Sequence, residues 1–108
     1  MAAQQATKRA RGAALEATVT TESIPGLGEV NGMFVRADGT RLFSTNMDTL
    51  LQLPPSGMLS TIAGNSEEEA GYEDGAGIAA RLSQPEGMTV DLGGNIVLVD
   101  GGNHALRR

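Results

Sequence analysis

His104 is the one histidine of this 108-residue chain, and it stands close to Asp100 and Asn103. A carboxylate, an amide and an imidazole this near in sequence hold the groups of a proton-transfer or metal-binding set. The same side chains also serve as turn formers, because each can bond backbone groups across a bend. A second set is acidic: Glu67, Glu68, Glu69, Glu73 and Asp74, with Tyr72 among them. Clustered carboxylates suit a hard cation. The stretch lacks the Asp-x-Asp-x-Asn-Gly series of an EF-hand, so it reads as a solvated loop or as a loop that binds a partner. Gly93–Gly94 and Gly101–Gly102 are not followed by Lys-Ser/Thr, so they are hairpin glycines rather than a phosphate cradle. Nothing places a serine beside His104 and an acid, and no nucleophile is assigned. The chain has no Cys, which removes disulfides, thiolate zinc sites and thiol catalysis. A single His removes any multi-His metal site made by this chain alone. No catalytic, cofactor-binding or metal-ligating residue is therefore assigned, and no cofactor is expected.

The elements that must position these residues are strands. Fifteen Gly in 108 residues is about twice the usual share, which argues for many tight turns. Phe34, Phe43 and Tyr72 are the only aromatics, so the core rests on Val, Leu, Ile and Met. Residues 30–35 read as a strand with Met33 and Val35 on one face. Ala37–Asp38–Gly39–Thr40 is a hairpin turn, since Asp-Gly tolerates positive φ. Residues 41–45, 49–53 and 58–63 continue as strands, the middle one stopped by Pro54–Pro55. Residues 64–84 form an acidic, Gly-rich loop with a helical turn over 78–82. The strand pattern resumes at residues 87–90 and 96–99. Met33, Met47, Met58 and Met88 read as core or turn fillers.

Charge divides the chain. Residues 1–23 carry Lys8, Arg9 and Arg11 against Glu16 and Glu22, a net +1. Residues 24–108 carry five Arg against eleven acids, a net −6. The first segment reads as a disordered, basic, Ala-rich tail, with an organelle transit peptide as its sharper reading. No secretory signal is visible, which favours an intracellular setting over a secreted one. The acidic body repels phosphates, so no nucleic acid is expected. No apolar run approaches the ~18–20 residues of a membrane span.

The two halves also align. Gly32 and Gly87 are 55 residues apart, as are Leu51 and Leu106. Pro85–Glu86–Gly87–Met88–Thr89–Val90–Asp91, Gly94–Asn95–Ile96–Val97–Leu98–Val99–Asp100 and Asn103–His104–Ala105–Leu106–Arg107 together resemble an NHL repeat. Leu59–Ser60–Thr61–Ile62–Ala63–Gly64 and Gly71–Tyr72–Glu73–Asp74–Gly75 resemble the linker of some NHL proteins. A first copy, about residues 30–63, departs from the pattern: Asn46 stands at an Asp position and Thr49–Leu50 at Asn-His. The resemblance implies an all-β fold of propeller blades, with a second copy at 85–108 that is cut short and some six blades in the whole. It implies that Gly87, Val90, Asp91, Gly94, Asn95, Asp100, Asn103, His104, Leu106 and Arg107 are a structural repeat signature, which favours the turn-forming role for Asp100, Asn103 and His104.

Two copies do not close a propeller, so the expectation is a fragment whose other blades come from a longer chain or from an oligomer. The function so implied is a non-catalytic interaction scaffold for a protein partner. Its partner-binding loop would comprise Glu67, Glu68, Glu69, Tyr72, Glu73 and Asp74. The alternative is part of a six-bladed lactonase-like hydrolase whose metal site lies in missing blades. RNA binding, known among NHL domains, ranks last because of the acidic body.

Overall fold

The computed structural model describes residues 16–108. The basic cluster Lys8, Arg9 and Arg11 lies outside the described residues. Seven strands form two antiparallel sheets. The first runs β1 (Val30–Val35), β2 (Arg41–Thr45), β3 (Leu50–Leu53) and β4 (Ser60–Ala63) in sequence order. The second runs β5 (Pro85–Val90), β6 (Ile96–Asp100) and β7 (Ala105–Arg107).

Each hairpin follows from its turn chemistry. Gly39 and Gly94 carry φ of 90° and 84°, which a side chain resists. The Asp38 carboxylate accepts the Thr40 N–H at 2.8 Å, and Asp91 accepts those of Gly93 and Asn95 at 2.9 Å each. The Asn95 backbone bond, above all, holds the Asp91 carboxyl below the usual range, and the Thr40 backbone bond does the same for Asp38. These folded-state values lie below the unfolded ones. The stability they add is complete above the unfolded values and is lost as pH falls through the folded ones. Denaturation midpoints are expected to hold level from neutral pH to about 5 and to fall below about 4, where ordinary carboxylates protonate. A midpoint that rises on acidification would contradict this.

The sheets meet where β5 lies against β1 and β2. Gly32 makes this possible: a Cβ there would come within 2.6 Å of the Glu86 carbonyl oxygen. Ser44 donates its hydroxyl to the same carbonyl at 2.6 Å, and Asn31 Nδ2 donates to the Pro85 carbonyl at 3.1 Å. The side chains between the sheets are buried: Leu42, Ser44 and Leu50 from the first, Pro85, Leu98 and Asp100 from the second. The opposite face of the first sheet holds Phe43 and Leu51, also buried. Residues 20–29 run as a strap on this side, where Glu22 grips Arg41 with two bonds of 2.7 and 2.9 Å.

Several expectations need correction. The sheets are open and uncurled, of four and three strands, and no blade geometry is present. The NHL resemblance and the propeller it implied are therefore overturned. The 55-residue spacing builds no repeat symmetry, because the sheets differ in strand number and in register. The physical reason is local. Alternating apolar residues ended by Asp and Gly specify a hairpin in any antiparallel sheet, and nothing in them encodes closure into a ring. Strand β7 was read only as a motif. Of the methionines read as core or turn fillers, Met47 lies exposed in the β2–β3 turn, Met33 and Met58 are exposed, and Met88 is half-buried.

Candidate functional site

Asp100 ends β6 with its side chain turned between the sheets, fully buried. One carboxylate oxygen accepts the Ser83 N–H at 2.8 Å. The other accepts Asn103 Nδ2 at 2.8 Å and Arg107 Nη1 at 2.7 Å. A buried carboxylate persists only when its lone pairs are met and its charge is matched, and here both conditions hold. His104 takes no part: it sits exposed at φ 52°, after the 3-10 turn Gly101–Asn103. The trio considered for proton transfer is thus divided, with Asp100 and Asn103 bonded together and His104 outside.

Arg107 carries the arrangement outward. Its guanidinium donates to the carbonyls of Arg81 (3.2 Å) and Glu73 (2.8 Å) and meets the Asp74 carboxylate at 3.1 Å. It also lies over the Tyr72 ring, 4.8 Å from the centroid, a cation–π geometry. Asn103 Nδ2 donates to the Gly71 carbonyl at 2.7 Å. Residues 64–84 are consequently tied to the second sheet at several points. The pair Glu73 and Arg81 exchanges both backbone bonds, and Gly71 N–H reaches the Leu82 carbonyl. The loop read as solvated has a fixed backbone, while Glu67, Glu68, Glu69, Tyr72, Glu73 and Asp74 are exposed. Its helical turn is a single 3-10 turn, Gly77–Ala79.

Beneath this loop a cleft of about 600 Å³ opens between the sheets. Leu50, Ala80, Leu82 and Leu98 line it and are themselves buried. Tyr72 and Asp74 stand at the loop side, Asn95 and Arg108 at the other. Arg107 at the cleft is matched by Asp100 and Asp74, and Arg108 stands 4.0 Å from Asp91. Leu82 inside the polar loop and the Ile96/Leu98 alternation mark single lining residues in the sequence, but not that they converge.

The remaining signature residues lie in the β5–β6 hairpin and in β7. Val90 pairs with Ile96 at the end of the β5–β6 hairpin, and Asp91, Gly94 and Asn95 make its turn. Gly87 has nothing within 4 Å of where a Cβ would stand, and Leu106 is exposed. Among the described residues no three His, Cys, Asp or Glu side chains converge on a metal position. The scaffold function read from the propeller, and the hydrolase reading with its metal channel, both fall with that topology. No helix of the described residues is long and apolar enough to cross a membrane. No protein-family model and no curated protein matches this chain.

Proposed function

We propose that this protein binds a basic segment of a protein partner, which lays its charges along residues 67–74 and one apolar side chain in the cleft beneath. One observation carries the reading: a buried apolar floor of Leu50, Leu82 and Leu98 opens beside the exposed Asp74 carboxylate, at the end of an acidic loop that Arg107 binds through the Glu73 carbonyl. A loop ordered before binding loses little conformational entropy on association. The acidic side raises the local concentration of a cationic segment and speeds its arrival. Arg108, on the far rim, marks where the acidic side ends.

The test is titration of the full chain with a capped Lys-Lys-Leu-Lys-Lys peptide. Replacing Glu67, Glu68 and Glu69 together by Gln is expected to weaken binding about tenfold and to flatten its salt dependence. Replacing the central Leu by Ser in the peptide is expected to weaken binding by a similar factor, from the lost apolar burial. Equal affinity for the triple variant and the native chain would overturn the proposal.

A further inference from the structure

The strap on the first sheet has a construction unlike the rest of the fold. Ile24, Pro25, Gly26 and Leu27 make a tight turn, closed by the Leu27 N–H on the Ile24 carbonyl at 3.3 Å. Pro stands second and Gly third, and Gly26 has the φ of 83° that a type II turn requires there. The turn leans on Leu59, 3.8 Å from the Cβ position of Gly26. Ile24 and Leu27 are half-buried, and most of the strap's other residues are exposed. Its charged attachment is the bidentate ion pair of Glu22 with Arg41, whose side chains are 63% and 29% exposed. Arg41 shares its sheet face with Phe43, so the pair sits at the margin of the buried Phe43 and Leu51 patch.

At its other end the strap is anchored where Glu29 receives the backbone N–H and the Nδ2 of Asn46, at 3.1 and 3.0 Å. Between turn and anchor lies Gly28, at φ 69° with open space around it. A glycine with no neighbours can change its φ and ψ without a clash. The strap thus has a hinge, one charged clamp and two half-buried aliphatic side chains.

We infer that the strap is an exchangeable element: two copies of this chain associate by laying each strap, residues 20–28 up to the Gly28 hinge, on the Arg41 face of the other. The commitment to a second copy rests on fit. The segment seated on this face is the chain's own, every copy carries the same segment, and Glu22 is charge-complementary to Arg41. Exchange reproduces each contact of the closed form in trans, so its cost is that of association alone. A surface ion pair is weak and screened by salt, which makes release of the strap easy.

The test uses charge reversal in the full chain. Glu22→Arg alone and Arg41→Glu alone each face like charges whether the strap closes in cis or in trans. Mixed one to one, the two variants meet complementary charges at both clamps only when they exchange straps. Native mass spectrometry is expected to show each variant as an 11.1 kDa monomer. The mixture is expected to show a one-to-one heterodimer, and a mixture that stays monomeric overturns the inference. A second measurement covers failure of either variant to fold. Arg41→Lys keeps the ion pair and permits carbodiimide crosslinking from Glu22 to position 41. In a mixture of 14N and 15N chains, refolded together at high concentration, mixed-isotope crosslinks are expected. Crosslinks confined to single-isotope chains overturn exchange.

Discussion

Replacing Asp100 by Ala is expected to lower the unfolding free energy by about 3–5 kcal/mol, the cost of leaving a buried cation without its partner. Arg107 is the group left behind, with its side chain only 10% exposed and only the exposed Asp74 carboxylate still facing it. The Ser83 N–H and the Asn103 amide lose their acceptor in the same step. A domain of this size holds about 5–15 kcal/mol in total, so the variant would stand near the limit of folding. Urea denaturation measures the loss. Two companions separate the causes. Asp100→Asn keeps the shape and an acceptor for Ser83 but turns an amide donor toward Arg107, and it should cost less than Ala. Hydrogen exchange in Asp100→Asn should rise first at residues 71–83, because Arg107 and Asn103 hold that segment through its carbonyls. An Ala variant within 1 kcal/mol of the native protein, a threshold well below the expected ~3–5, would show that the buried pair adds little here.

The second large effect is expected at Gly64. Its φ of 81° is left-handed, and a Cβ would run into the Asp48 carbonyl oxygen and lie 3.2 Å from the Thr49 Cα. Those are backbone atoms of the turn between β2 and β3, so they cannot swing aside. Gly64→Ala combines about 1–2 kcal/mol for the left-handed conformation with a further 1–3 for overpacking. The expected loss is about 3 kcal/mol. Gly87→Ala is the contrasting control. Gly87 belongs to the motif that resembles a repeat signature, but nothing lies within 4 Å of its Cβ position and its φ is not left-handed. Its replacement should leave the denaturation midpoint unchanged or slightly raised. The reverse order, with Gly87 sensitive and Gly64 tolerant, would contradict the packing described.

The local half of this fold was legible in the residues. Asp38–Gly39 and Asp91 with Gly94 mark turns by their conformational tolerance, and the aliphatic, mostly β-branched run at 96–99 marks a strand. Those signals act over a few positions, which is why they can be read without a structure. The cleft could not be read so. Its floor joins Leu50, Leu82 and Leu98 from a strand, a loop and the second sheet, and no spacing announces that they converge. The Glu22–Arg41 clamp spans 19 residues and the Asn103–Gly71 bond 32, with side chains that are ordinary surface types in sequence. The propeller expectation failed for a related reason. Gly32 and Gly87 occupy matching places in the motif, but Gly32 is pressed against Glu86 while Gly87 faces open space. Equal spacing in sequence did not mean equal packing.

Strand order has a consequence for how the chain finds this structure. In both sheets every strand pairs with its neighbour in sequence, so each pairing closes only a short loop and loses little chain entropy. Such a topology places the slow, costly closures elsewhere, at the bonds that dock one sheet on the other. These are few and distant: Asp48 to Gln84 across 36 residues, Ser44 to Glu86 across 42, Asn31 to Pro85 across 54. During synthesis the first meander is complete when residue 63 has left the ribosome, before the strands of the second sheet have emerged. Its Leu50 then waits, uncovered, for Leu82 and Leu98 to emerge.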